Sequence, residues 1–457
     1  MLRSRKSRKA GWPFEFFNKA AQICGKIVDE LDMSVCRATY RIKLFAVLGL
    51  ILVAGFAAAQ TVDANPKVKQ EVLDKVASIL SQSAFVPGID FGKWDGFIQD
   101  EKPAIDAAKD DDEFRTAVNT ALHKFGASHV VLMTPKMSQV RRTGANVGVG
   151  ISTQATPDGL VIIRVIKDAP AEKAGLIVGD TITEVDGKPV NPAPNLSGDE
   201  GTELAFKVKH ADGKIEDYKL TRQKYSTLRP PELLWVDKDT AQLKIYSFDP
   251  GYDKAKIVDF MRDALKAKNL ILDLRFNGGG SVANLQHLLG LMIPDNKPIG
   301  TFINRNTVSD YIESTGGNGT DLQAIAEWSE KKLRPIHRDF TPVFSGKIAV
   351  LINKFSGSAS EIAAAALHDV MGAPVIGTKS AGAVLASVIE PAADGFMLQY
   401  PIEDYVTIKG LRLEGLGVTP DIDAPELNIR TPNPHDDAID KAMAYFGQAK
   451  SGILEHR

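Results

Sequence analysis

Two continuous apolar runs, Asn269-Leu-Ile-Leu-Asp-Leu-Arg275 and Gly346-Lys-Ile-Ala-Val-Leu-Ile-Asn353, limit what this chain can fold into more than any other feature. A strand with one wet face alternates polar and apolar residues. Unbroken runs with β-branched members belong to strands covered on both faces. Each run is followed by a stretch of helical spacing, Val282–Met292 after the first and Ser360–Val370 after the second. From Leu233 onward strand therefore alternates with helix, which predicts an α/β core. The Gly-rich segment Gly316–Asp321 reads as a loop.

Upstream the texture differs. Apolar residues recur at helical spacing in Val68-Val72-Val76-Ile79-Leu80 and Phe114-Val118-Leu122, with Pro87-Gly88 and Lys102-Pro103 as punctuation. Between the two regions, short β-type runs such as Gly159–Ile166 alternate with turns such as Val185-Asp-Gly-Lys-Pro189. The expected division is residues 1–59 as signal or anchor, 60–140 as a helical region, 141–225 as a small β domain and 226–457 as the core. Internal repeats and long low-complexity tracts are absent from the sequence.

Leu44–Ala59 is an apolar run that follows Arg37, Arg41 and Lys43 and ends in small residues before Gln60. Basic flank, short apolar run and an Ala-x-Ala ending form a secretory signal, with cleavage expected after Ala59. A membrane span needs about 20 apolar residues, so anchoring through residues 44–59 is the lesser reading. Met33 would start a signal of conventional length. The expected location is the periplasm or the extracellular space. Both cysteines, Cys24 and Cys36, precede the cut, so the mature chain would use neither disulfides nor thiol chemistry.

Two further segments suggest peptide recognition. In Asn146-Val-Gly-Val-Gly-Ile151, glycines alternate with small apolar residues before a strand. Such a turn can aim successive N–H groups at a carboxylate, which makes Val147, Gly148, Val149, Gly150 and Ile151 candidate peptide-binding residues. In Asp168–Gly187, Pro170 opens a short helix, Gly175 ends it, and Gly179-Asp180 turns into a strand. This order resembles the PDZ domains of periplasmic proteases. The resemblance implies strand addition of a peptide and capture of its terminal carboxylate, or else a PDZ fold that only packs against its neighbours.

Phe355-Ser-Gly-Ser-Ala-Ser-Glu361 follows the second apolar run. A serine at a strand-to-helix junction can present its hydroxyl beside helix N–H groups and the positive dipole end. Ser358-Ala-Ser-Glu361 equally fits a helix capping box. The first run closes on Asp273-Leu-Arg-Phe-Asn-Gly-Gly-Gly280, where glycines let backbone approach a ligand or simply make a tight turn.

Together these segments resemble the C-terminal processing (tail-specific) and tricorn-like serine peptidases, from about Val68 to the C-terminus. The resemblance implies a ClpP/crotonase-like α/β core with an inserted, mostly β PDZ domain. It makes Ser358 the nucleophile, and makes the N–H of Ala359 with that of Gly279 or Gly280 the oxyanion hole. The tail-specific branch takes its general base from a lysine in a Thr-aromatic-Gly-Lys-Gly segment. Here the corresponding stretch is Thr378-Lys-Ser-Ala-Gly-Ala-Val384, and Ala383 stands at the lysine position. Lys379 could substitute only with a rearranged loop. The tricorn-like branch uses a histidine in a Ser-His pair and a glutamate near Glu-x-x-Gly-Val-x-Pro-Asp. Ser128-His129 and Glu414 in Leu413–Asp421 match those positions, implying His129 as general base and Glu414 as its orienting acid.

The expected activity is hydrolysis of polypeptide substrates by an exported serine endopeptidase. Its rivals are a Ser-Lys protease using Lys379 and a non-catalytic peptide-binding scaffold. His368 follows Ser358 by ten residues on one expected helix, roughly 15 Å along it, which is out of reach. No His/Asp/Glu cluster has zinc-like spacing, so neither metal nor cofactor is expected. A net charge of −2 argues against a nucleic-acid face, and the sequence lacks a phosphate-cradling Gly-x-x-x-x-Gly-Lys-Ser/Thr segment.

Overall fold

The computed structural model describes residues 65–190, 196, 198–336, 342–432 and 434–447. The apolar run, both cysteines and the expected cleavage point lie outside the described residues. Among the described residues, no helix is long and apolar enough to cross a membrane.

Helices α1 (Pro66–Gln82), α2 (Trp94–Ala107) and α3 (Asp111–His123) come first. Of the apolar positions that carry the helical spacing on α1 and α3, Val72, Val76, Ile79, Leu80, Phe114, Val118 and Leu122 are buried and Val68 is half-buried. Asn65 caps α1 by accepting from the Lys67 N–H, and Asp110 caps α3 from Glu113. Pro103 does not punctuate: it lies inside α2, which runs on to Ala107. A proline there forfeits one intrahelical N–H bond without ending the helix. Strand β1 (Val131–Met133) and helix α4 (Pro135–Thr143) follow.

Strand β2 (Ala145–Gly148) opens the small β domain, followed by β3 (Ile151–Thr156), β4 (Gly159–Val165) and the short helix α5 (Pro170–Lys173). Strands β5 (Thr181–Val185), β6 (Glu203–Lys209), β7 (Ile215–Thr221) and β8 (Gln223–Ser226) complete it. Strands β3, β4, β5, β6 and β7 form one antiparallel sheet in that order, with β3 at its edge, while β8 pairs with β2. Its core gathers Leu160, Ile162, Ile182, Leu204 and Phe206.

In the remainder, β9 (Glu232–Asp237) and β10 (Thr240–Lys244) lead to α6 (Lys254–Ala264) and β11 (Asn269–Asp273). Next come α7 (Val282–Gly290), β12 (Gly300–Asn304), β13 (Lys347–Ile352), α8 (Ala359–Met371) and β14 (Val375–Gly377). The series ends with β15 (Ala386–Ala393), β16 (Phe396–Thr407), β17 (Ile422–Asp423) and α9 (Asp437–Tyr445). The main sheet runs β9-β10-β11-β13-β14-β17 and is parallel from β10 onward. Its two central strands are covered on both faces, as their unbroken apolar runs require. Leu270, Leu272 and Val350 pack with α6, α7 and α8, whereas Ile271, Ala349 and Leu351 pack against α9. Each such large side chain buried contributes about 1.5–3 kcal/mol.

A second sheet holds β1, β16 and β12 in order, with β15 on β16. Val131 lies opposite Gln399 and Met133 opposite Met397, so the helical N-terminal stretch is tied to the far C-terminal part of the core. That pairing carries the loop before β1, and His129 with it, to the core.

Candidate active site

Strands β11 and β13 are parallel neighbours, with Asp273 opposite Leu351. The loops at their carboxyl ends therefore emerge side by side, where open α/β sheets place their ligands. Asn277 stitches them together. Its carbonyl accepts from the Gly357 N–H at 3.0 Å and the Ser360 hydroxyl at 2.8 Å. Its side-chain oxygen accepts from the Gly279 N–H at 2.9 Å. Behind them, the Arg275 guanidinium bridges Asp273 and Asp436, each at 2.7 Å. Burial works to raise the Asp273 pKa, and Arg275 outweighs it, holding that carboxyl below the ordinary range.

Ser358 sits at φ 54°, ψ −119°, immediately before α8. A non-glycine residue there is strained, and such strain is held only where surroundings fix it. The fixing contacts are dense. The Ser358 N–H donates to the Ala383 carbonyl at 2.8 Å and to the Glu361 carboxylate at 2.9 Å. Glu361, fully buried, also accepts from the N–H groups of Gly382 and Ala383 and from the Ser380 hydroxyl. Burial raises its pKa, against the pull of these four donors. The capping-box reading and the nucleophile reading are thus compatible: Glu361 reaches back to Ser358, and Ser358 still faces a cleft. Gly279 is needed beside it, because a Cβ on Gly279 would lie 2.6 Å from the Ser358 Cβ.

That cleft, of about 1170 Å³, is lined by Ser358, Ala359, His129, Gly278, Gly279 and Gly280, among others. Of the seven described non-glycine residues at positive φ, His129, Phe276 and Ser358 all line it. Ala359 is the first residue of α8, so its N–H has no intrahelical partner. The Gly279 N–H is engaged by Asn277, which makes Gly280 the stronger second donor.

The histidine is held through its neighbour Ser128. Glu414 reaches the imidazole through a hydroxyl. The Glu414 carboxylate accepts from the Ser128 N–H at 2.8 Å, the Ser128 hydroxyl at 2.9 Å and the Val384 N–H at 2.8 Å. The Ser128 Oγ lies 2.7 Å from His129 Nδ1. A hydroxyl has one proton, and here it goes to the carboxylate, so Oγ accepts from Nδ1–H. This assigns the tautomer: Nε2 carries the lone pair. His129 itself stands in the left-handed region, φ 59°. Burial lowers the His129 pKa below its ordinary 6.5, Glu414 opposes this, and Arg141 adds to it.

Lys379 is exposed and does not line the cleft. Ala383 lines it and serves through its backbone, accepting from Ser358 and donating to Glu361. The sequence names Ser128 only as the partner in the Ser-His pair, with no role of its own, and gives Asn277 none. His368 pairs with Asp369 and Asp421, away from the cleft. No group of three or more His, Cys, Asp or Glu side chains among the described residues could hold a metal.

In the β domain, the candidate nest narrows. Val147 and Gly148 belong to β2, paired with Lys224 and Gln223 of β8, and Ile151 begins β3. The carbonyls of Val149 and Gly150 accept from Ala171 and Ile166. In a trans peptide the following N–H points the opposite way, so those of Gly150 and Ile151 face away from these partners, at the end of an edge strand.

Comparison with known proteins agrees with this architecture. Residues 239–424 match the model of Peptidase family S41, and residues 147–220 match a PDZ domain. A CtpA-like serine protease of Staphylococcus haemolyticus is 27% identical over 289 residues, covering 61% of this chain and 53% of that protein. A CtpA-like serine protease of Staphylococcus aureus strain N315 is 26% identical over 296 residues, covering 62% and 54%. The chain thus spans about half the length of these curated relatives. Among solved structures, one described as an S41 protease from Bacteroides fragilis matches with TM-score 0.55 at 15% identity, covering 81% of this chain and 97% of that one, a likeness of fold alone. The S41 match thus falls on the part of the chain that carries most of the main sheet and both loops of the site, with the PDZ match ahead of it.

Proposed function

We propose that this chain is a serine endopeptidase that takes polypeptides by their C-terminal segments and hydrolyses them by acyl transfer to water. The observation that carries the proposal is the His129 ring, fixed through Ser128 and Glu414, opening on the same cleft as the strained Ser358. In the proposed reaction Ser358 Oγ attacks a peptide carbonyl and gives its proton to His129 Nε2. The N–H groups of Ala359 and Gly280 receive the developing oxyanion. The imidazolium returns the proton to the leaving amine, and a water deprotonated by His129 then attacks the acyl-enzyme. The relatives' name supports this activity, and the outward N–H groups of Gly150 and Ile151 support carboxylate capture by the PDZ domain.

A Lys379 base finds less support, since that side chain is exposed and outside the cleft. We further propose export, carried by the sequence of residues 37–60, with cleavage after Ala59 to be read by N-terminal sequencing.

The deciding experiment is hydrolysis of an unstructured protein by the chain and its variants. Ser358→Ala and His129→Ala should each abolish turnover, with losses on the order of a millionfold where such groups act as a unit. Lys379→Ala should turn over at the parent rate. Peptide binding without turnover in the unmutated chain would overturn the peptidase reading in favour of a scaffold.

A further inference from the structure

The cleft that holds Ser358 is lopsided in charge. Four of its lining residues are cationic, Arg141, Arg164, Arg229 and Lys354, and one is a carboxylate, Asp249. Asp249 is already paired with Arg141 at 3.0 Å. Lys354 is exposed. The other two are half-buried and come from different parts of the fold, Arg164 from β4 of the PDZ domain and Arg229 from the connection into the core. The Arg229 guanidinium carbon lies over the Tyr246 ring, 3.5 Å from its centre. Both arginines also line a second hollow beside it, of about 290 Å³, whose own carboxylate, Asp273, is committed to Arg275 and Gln242. Glu232 acts on the Tyr246 hydroxyl and lies outside the cleft lining. Burial lowers the Arg164 pKa, and the charge of Arg229 lowers it further.

Two like charges held together and partly out of water repel each other, and an anion between them relieves both costs. Resting on the peptidase reading above, we propose that Arg164 and Arg229, with Tyr246 as a platform, form a subsite for a carboxylate of the substrate. The commitment is to an acidic side chain, Asp or Glu. The terminal carboxylate has its own candidate receptor at Gly150 and Ile151, and neither residue lines the cleft. Guanidinium binds carboxylate in a planar, two-pronged fashion. Arg229 is preset for this by its place over the Tyr246 ring. Because the two arginines belong to the PDZ domain and the core, a bound carboxylate would also join the two across the cleft.

The test uses a peptide series in which one glutamate is moved through each position around the scissile bond, beside matched glutamine peptides. At one position the parent chain should favour glutamate by about 10- to 100-fold in kcat/KM, a charge-assisted hydrogen bond's worth. In Arg164→Gln and Arg229→Gln that glutamate-over-glutamine ratio should fall toward one, whereas Arg229→Lys should retain part of it. Binding of both peptides to the Ser358→Ala chain, read by fluorescence anisotropy, tests the subsite without catalysis. Discrimination there persists even if the peptidase reading fails. C-terminally amidated peptides separate the sources. A preference lost on amidation but blind to glutamate would assign the pair to the chain terminus and overturn the acidic-side-chain proposal. Equal use of both peptides at every position would overturn the subsite altogether, as would arginine variants that weaken both peptides equally.

Discussion

At the scale of single residues, the site turns on one hydroxyl. Ser128 accepts a hydrogen bond from His129 Nδ1–H and donates its own to Glu414, so its loss should free the ring without removing the base. Ser128→Ala is expected to lower kcat by about 10²–10⁴-fold, the usual range for disabling acid-base assistance, while KM stays near the parent value. The pH profile follows from the His129 environment. The ring must be neutral to accept a proton, and its pKa lies below 6.5 because burial disfavours the cation. The acidic limb of kcat/KM should therefore lie below the 6.5 of an ordinary imidazole. Arg141 is one of the groups lowering that pKa, so Arg141→Gln should move the acidic limb of kcat/KM to higher pH. Glu414 acts in the opposite sense, and Glu414→Gln should move the limb down while reducing the rate. An Arg141→Gln limb that shifts downward would sink this account of the electrostatics.

Among elements, the parallel pairing of β11 and β13 explains why two loops distant in sequence form one site. The glycine run after β11 must lie against the serine turn after β13, and Gly279 is where they touch. Gly279→Ala would set a methyl 2.6 Å from the Ser358 Cβ on a backbone with φ +99°. We expect most of the activity to be lost, with stability reduced by about 1–3 kcal/mol, measurable as paired kinetic and thermal-melting experiments. These two loops were legible in the sequence because each follows an unbroken apolar run, and a run of that kind places its own end at a sheet edge. The pairing of β1 with β16 was not legible. Val131-Leu-Met133 is a short apolar piece with no turn to a neighbouring strand, and its partner lies over 260 residues away in sequence, with Val131 opposite Gln399. That pairing delivers His129, so the residue was identified by resemblance and its position by topology. The Ser128 link to Glu414 was hidden for a related reason: it joins residues 286 apart in sequence, and no local spacing signals it.

For the whole molecule, the PDZ domain is tied to the core at more than its chain connections. Gln154 on the edge strand β3 accepts from the Arg430 guanidinium at 3.0 Å, and Gly179 packs on the Arg430 carbonyl. The turn at Gly150 therefore has a defined position relative to Ser358, and under the proposed function a substrate held there by its terminus would present upstream segments to the cleft as a tethered reactant. Tethering raises local concentration to the millimolar range, a gain of about a hundredfold or more for a weakly bound segment. That gain should depend on substrate length. Gly150→Ala tests it, because the added methyl would fall 2.1 Å from the Ala169 Cβ at φ +79°, which forces the turn to shift. Long substrates with a free C-terminus should lose about a hundredfold in kcat/KM. Peptides too short to span turn and cleft should be cleaved as before, since none of the Ser358, His129 or Gly280 contacts changes. Equal losses on both would mean the PDZ domain supports the fold of the cleft instead of supplying substrate to it.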